Sequence, residues 1–302
     1  MSTQPKNRIT LNREDVIFHS IGYFVFSILI VVFAYPFYFL LISTISNNAM
    51  VNLNQITLYP VGIHFENYIE VFKLERIQSG ALISVARTLI GTGLSLAVTT
   101  YGAYFFTKEE MWHRKFWYRF TVSTMYFGAG TIPIYLNYKL LGLLDNFWVY
   151  VIPGCLSVYN MILVKTYIES LPSALEEAAE MDGAGYMTRF VRIVLPLCKP
   201  ILATIGLFAA VGQWNSVFDT KMYINNSDLY PLQFVLYEYY NQVKSIQEAM
   251  SQAGADQGLA QVASSTSVRL TMTAVTVIPI ICVYPFIQKY YMKGIMIGAV
   301  KG

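Results

Sequence analysis

Long apolar runs separated by short polar segments divide the chain into six stretches of membrane-crossing length. They cover about residues 16–42, 82–106, 116–137, 147–164, 196–214 and 270–287, and within the first, residues 21–41 carry no formal charge. A helix crosses the hydrocarbon core with roughly 20 mostly apolar residues. The pattern therefore predicts an all-α integral membrane protein with six transmembrane helices. Residues 1–15 are expected to form a cytoplasmic N-terminal segment and residues 16–302 a single transmembrane domain. Pro36, Pro133, Pro153, Pro279 and Pro285 lie inside or beside these stretches. Membrane helices tolerate proline because neighbouring groups satisfy the freed carbonyls. The first stretch follows Lys6, Arg8, Arg13, Glu14 and Asp15 and is too long for a signal-peptide core, so it is expected to stay as an anchor.

Composition agrees with the pattern. Of 302 residues, 55% are hydrophobic, 15% aromatic and only 13% charged, against about a quarter charged in soluble domains. Basic residues set the orientation. With the amino terminus inside, the inner segments hold Lys6, Arg8, Arg13, Lys108, Arg114, Lys115, Arg119, Lys165, Arg189, Arg192, Lys199, Lys289, Lys293 and Lys301. The outer segments hold only Lys73, Arg76, Lys139, Lys221 and Lys244, while Arg87 and Arg269 sit near outer ends of stretches. Both termini are thus expected in the cytoplasm. The net charge of +3 is a topology signal and argues for no nucleic-acid partner. Cys155, Cys198 and Cys282 are isolated, without metal-ligand spacing, and are expected to act as soft hydrophobes.

The polar segment at 168–195 is different in kind. Ser173 is an N-cap candidate, with Glu176 three residues on to complete a capping box. Glu176, Glu177 and Glu180 crowd the start of a short helix, where acid favours the dipole. Ala178 and Ala179 leave part of it smooth enough for another surface to approach. Gly183 can end one helix and start another in a new direction. A second helix is expected at 186–194, with Met187, Val191 and Val194 on one side and Arg189 and Arg192 elsewhere. Pro196 punctuates the entry to the fifth stretch. These residues describe a helix–turn–helix elbow on the cytoplasmic side. On composition alone an amphipathic connector lying on the bilayer fits equally well.

The spacing is more specific. Glu177-Ala178-Ala179, three residues, Gly183, nine residues, Ile193, one residue and Leu195-Pro196 resembles the EAA loop of binding-protein-dependent ABC importers. Asp182-Gly183-Ala184 matches too. The resemblance implies a type I importer permease fold whose loop forms a coupling helix docked on a separate ATPase. Glu176, Glu177, Ala178, Ala179, Asp182, Gly183, Ala184, Ile193, Leu195 and Pro196 would make up that loop. Gly212-Gln213-Trp214-Asn215, Phe218-Asp219 and Tyr230-Pro231-Leu232-Gln233 resemble the carbohydrate branch related to the MalG-type subunit of the maltose importer. The ending at 284–294 and 298–302 resembles the subgroup associated with complex oligosaccharides. The resemblance further implies a bacterial cell-membrane subunit that works with a second, different permease, two ATP-binding subunits and an extracytoplasmic binding protein.

The chain contains no GxxxxGK[ST] phosphate loop. Mg-ATP is therefore expected on the partner ATPase, with no cofactor and no catalytic residue in this chain. Gly91 with Gly93, and Gly128 with Gly130, are expected to serve close helix packing. Tyr126, Tyr135, Asn137, Asn160, Gln213, Trp214 and Asn215 are polar or aromatic groups near membrane depth, where such groups tend to face the bundle interior. As a set they are a candidate sugar path; singly, interfacial belting or interhelical bonding explains each. The long outer segments 43–80 and 215–267 are candidates for meeting the binding protein, the second with a helix over 236–252. An ion-coupled transporter would need acidic residues within several stretches, and Asp145 and Asp219 lie only near outer ends. A membrane enzyme would need a catalytic cluster at an interface. Within the importer class, an amino acid, peptide or polyol is the competing substrate.

Overall fold

The computed structural model describes residues 12–252 and 266–299. Lys6, Arg8, Lys301, the 253–265 part of the second outer segment and the terminal 300–302 lie outside the described residues. Within them every regular element is helical. Helix α1 (Arg13–Thr44) is followed by short α2 (Asn48–Asn52) and α3 (Glu66–Lys73), then by α4 (Glu75–Phe105). Next come α5 (Arg114–Ser123), α6 (Thr131–Leu140), α7 (Val158–Glu169) and α8 (Ala174–Met181). The chain continues through α9 (Tyr186–Arg189), α10 (Leu195–Leu197), α11 (Lys199–Asn215), α12 (Phe218–Tyr223), α13 (Leu232–Gln252) and α14 (Thr266–Ala299).

Among the described residues three helices are long and apolar enough to cross a membrane: α1, α4 and the Thr266–Pro285 part of α14. The pair Tyr186–Leu197 and Lys199–Asn215, bent by 81°, makes a fourth if taken as one broken crossing. The expected stretches at 116–137 and 147–164 are not continuous helices. In the first, α5 tightens into a 3₁₀ turn over Thr124–Tyr126 and the chain extends before α6. Gly130 there takes φ +81 with open space around it, a conformation that glycine adopts freely. Gly128 and Gly130 thus break a helix where close packing was expected. In the second, a 3₁₀ turn at Phe147–Tyr150 runs into non-helical residues around Pro153 and Gly154. Proline removes a donor and disfavours helix in the residue before it. Regular helix restarts only at Val158, where the Ser157 side chain accepts from the Asn160 backbone N–H at 3.3 Å.

The 81° bend has a similar local cause. Pro196 and Pro200 cannot donate to Arg192 and Pro196, four residues back. The backbone widens into a π turn over Phe190–Val194, then turns at Cys198 before α11 begins.

Helix α4 is the axis of the bundle; α11, α7, α13 and α3 all pack on it. Its buried positions include Gly80, Ser84, Arg87, Gly91, Ser95, Thr99 and Ala103. Spaced by three or four, they form one face. All but Arg87 are small. In lipid there is little hydrophobic drive between helices, so small residues that let backbones approach supply the packing. Around the far end of α4, Ala103, Tyr104, Met161, Val164, Phe190, Val194, Cys198 and Ile205 form a buried apolar cluster. By contrast, α1 buries only Ile42, Ser43 and Thr44 and leaves its apolar length exposed.

Candidate functional site

Two sites lie along α4, one at its C-terminal end and one at its middle. The first is the elbow. Helix α8 ends in a Schellman turn, in which the Ala184 N–H donates to the Ala179 carbonyl and the Gly183 N–H to the Glu180 carbonyl, both at 2.9 Å. Gly183 lies at φ +79, and a Cβ added there would meet nothing within 4 Å. The left-handed backbone is what requires glycine here, since L side chains disfavour it by about 1–2 kcal/mol. On the outer face Leu175, Glu177, Ala178, Met181 and Asp182 are exposed, Met181 at 88%. Ala179 and Ala184 are half-buried, as are Ile193 and Leu195, while Pro196 is exposed.

The expected capping box does not form. Ser173 has helical backbone angles and its side chain makes no cap bond. Glu176 instead faces α4. It accepts from Lys108 Nζ at 2.6 and 2.7 Å on its two oxygens and from the Tyr104 hydroxyl at 2.8 Å. A bidentate charge-assisted contact outcompetes a neutral backbone amide. Arg189, expected off the packed side, is buried; it donates to Glu180 Oε2 at 2.7 Å and lies over the Tyr186 ring at 4.4 Å. Val191 and Met187, expected together with Val194, are exposed, whereas Val194 is buried. The π turn shifts side chains around the axis, so the simple helical period fails from Phe190 on.

The second site is a cleft of about 370 Å³ beside the middle of α4, whose lining includes Arg87, Gly91, Ser95, Tyr138, Tyr150, Asn160, Gln213, Asp219 and Tyr223. Its centre is Arg87, 1% exposed. Arg87 pairs with Asp219 through Nη2, and its Nε and Nη2 donate to Gln213 Oε1 at 3.2 and 3.1 Å. The guanidinium also lies 4.2 Å from the Tyr150 ring centre. Gln213 Nε2 donates to the Tyr150 carbonyl at 3.0 Å. Asp219 Oδ1 accepts from Ser216 Oγ and the Thr220 N–H, each at 2.9 Å. The buried guanidinium is thereby neutralised, and the cleft offers hydroxyl, amide and aromatic groups around a balanced pair.

Of the candidate path residues, the structure brings Asn160 and Gln213 into this cleft. Tyr135 stacks at its edge on Tyr223, 6.2 Å between ring centres. Trp214 turns away: its indole N–H donates to the Thr276 carbonyl of α14 at 3.1 Å. Tyr126, Asn137 and Asn215 are exposed and line no part of the cleft. Arg87, Tyr150 and Asp219 were missed as site residues. An arginine within an otherwise small-residue stripe was the available signal, because a buried charge demands a partner.

Gly91 has a separate duty. A Cβ added there would lie 2.7 Å from Gln213 Nε2 and 2.8 Å from its Cδ. Gly91→Ala is therefore expected to push Gln213 off Arg87 and the Tyr150 carbonyl, lowering stability by about 1–3 kcal/mol. Denaturation midpoints of the two proteins in mixed micelles measure this; equal midpoints would show that Gln213 relocates without loss.

No family profile matches the chain. Individual proteins do. It is 33% identical over 267 residues, 88% of this chain and 92% of the relative, to the polygalacturonan/rhamnogalacturonan transport system permease protein YtcP of Bacillus subtilis (strain 168). It is 24% identical to the maltodextrin transport system permease protein MalD of Streptococcus pneumoniae, over 98% of this chain and 99% of the relative. Among solved structures it resembles a chain of a bacterial ABC transporter involved in the import of the acidic polysaccharide alginate. That match has a TM-score of 0.81 and 30% identity, over 93% of this chain and 98% of that one.

Proposed function

Since this chain belongs to the permease family of ABC sugar importers, we propose that it moves an oligosaccharide into the cytoplasm by rocking the cleft around Arg87 in response to an ATPase docked on the elbow. The observation that carries this reading is the division of labour on α8. Glu176 and Glu180 tie the helix inward, while Leu175, Glu177, Ala178, Met181 and Asp182 present a mixed apolar and acidic face outward. Leu175, Ala178 and Met181, three residues apart on one face of α8, leave an apolar strip open for a partner. The binding of ATP by the partner would shift an equilibrium between two arrangements of the bundle, the element that any such switch requires.

In this reading six crossings arise when the broken segments 114–140 and 147–169 each traverse the bilayer beside the three long helices and the bent pair. Both termini are then cytoplasmic, and the elbow faces the ATPase. The exposed length of α1 is covered by lipid or by a companion permease, and the outer helix α13 faces the binding protein. An oligosaccharide suits the cleft because its polar groups are hydroxyls and amides flanked by Tyr138, Tyr150 and Tyr223, and because its guanidinium is internally neutralised.

The test uses the importer assembled with its ATPase. Reversing charge with Glu177→Lys and Asp182→Lys leaves the Schellman backbone bonds untouched. It is expected to lower the ATPase recovered with the purified permease at least tenfold. Unchanged recovery would sink the docking assignment. The chain purified alone is expected to hydrolyse no ATP, and robust turnover without a second polypeptide would reject the division of labour.

A further inference from the structure

The loop spacing groups Glu176 with the residues that meet the ATPase, yet its side chain faces the other way. Lys108, just past the end of α4, holds both of its oxygens, and the Tyr104 hydroxyl adds a third contact. The pair is mostly shielded, with side-chain exposures of 16% for Lys108 and 24% for Glu176. The Lys108 ammonium also lies 4.1 Å from the centre of the Tyr104 ring. The other arm of the elbow grips the same turn of α4. Phe190 packs on Tyr104 and Tyr101 with ring centres 4.9 and 5.7 Å apart, and Tyr104 Oη reaches the Tyr186 carbonyl at 3.4 Å.

Helix α4 is unbroken from Glu75 to Phe105. Arg87, at the heart of the cleft, and Tyr104 therefore ride on one rigid rod, roughly 26 Å apart at about 1.5 Å per residue. The covalent route from the elbow to the cleft runs instead through the π turn and the 81° bend at Cys198. A joint of that kind absorbs displacement, whereas a straight helix with a gripped end transmits it. Energetic coupling between distant sites travels through such packed, rigid elements.

We propose that Glu176, Lys108 and Tyr104 form the linkage through which movement of the elbow drives α4, making Glu176 a positioning residue that is not itself an ATPase contact. This rests on the docking reading above and refines which residues serve it. Glu177 and Asp182 receive the push, and Glu176 passes it on.

The test is a charge exchange in the complete importer, reconstituted in proteoliposomes with its companion permease, ATPase and binding protein. Glu176→Lys and Lys108→Glu are each expected to lower sugar uptake about tenfold, to leave the ATPase bound, and to raise the ATP hydrolysed per sugar imported several-fold. Combining the two is expected to recover at least half of the uptake. Tyr104→Phe, which keeps the ring and removes only the hydroxyl contact, is expected to raise that ratio about two-fold, and it serves even if a single charge variant fails to assemble. Loss of the ATPase from the Glu176 variant would make Glu176 a docking contact and overturn the proposal. An unchanged ratio in Tyr104→Phe and the assembled charge variants would reduce the clamp to a structural tie and overturn it as well. If Glu177→Lys with Asp182→Lys retains the ATPase while the charge exchange behaves as expected, the docking reading fails and the linkage stands.

Discussion

Replacing Gly183 by proline is expected to abolish sugar uptake while leaving the chain in the membrane. Proline fixes φ near −65°, and Gly183 stands at +79°. The substitution also removes the N–H that donates to the Glu180 carbonyl. Together these cost about 3 kcal/mol or more, and α8, eight residues long, has no stability of its own to absorb it. The Schellman turn opens, and Glu176 and Glu177 lose their fixed relation to α4 and to the outer face. Insertion is untouched because the long apolar helices do not involve this turn. Uptake of labelled oligosaccharide is expected to fall at least tenfold at unchanged membrane content, the latter followed by immunoblot. Gly183→Asn, which reaches left-handed angles more readily than other side chains, should keep most of the activity. Wild-type uptake by the proline variant would mean that the turn is not a working part.

The second large effect is expected at Arg87. Arg87 is buried and Asp219 only 20% exposed, so removing the cation strands the carboxylate at a cost of about 3 kcal/mol, the low end for a buried pair. Arg87→Met should therefore destabilise the protein strongly, leaving Asp219 without its cation and Gln213 Oε1 without its donors. Arg87→Met combined with Asp219→Asn removes the stranded charge. It also keeps an amide oxygen for Ser216 and the Thr220 N–H. That double variant should regain about half of the lost stability, read as the unfolding midpoint in mixed micelles. Its uptake should stay low, because the cleft has lost the group around which Gln213 and Tyr150 are arranged. Equal instability of the single and double variants would show that the charge of Asp219 is not what Arg87 offsets.

Much of this molecule was legible locally. The helices α1, α4 and α14 announce themselves as apolar runs because transfer into lipid depends on a segment's own composition. The elbow was legible too, since Gly183 answers to a backbone requirement confined to a few residues. Legibility failed where the outcome depends on what lies across the bundle. Gly91 and Gly130 look alike in sequence, yet one admits the Gln213 side chain and the other breaks a helix. The capping box at Ser173 and Glu176 is a sound local expectation, overridden by a lysine 68 residues away. Asn160 and Gln213 reached the cleft while Trp214, next to Gln213, bonds α14; adjacent helical residues differ by about 100° around the axis.

The sequence by itself determined that this is a helical membrane protein with an acid-led elbow and a glycine hinge at 183. Its spacing pointed further, to a member of the importer permease family. Composition and backbone preference act within a segment, and so they can be read from one. Only the tertiary structure decided that Glu176 belongs to α4, that Arg87 is matched by Asp219, and that the apolar stretches at 116–137 and 147–164 are broken. Each of those is a choice of partner. A carboxylate, a guanidinium or a glycine accepts many partners of similar energy, and the geometry of the packed helices selects one.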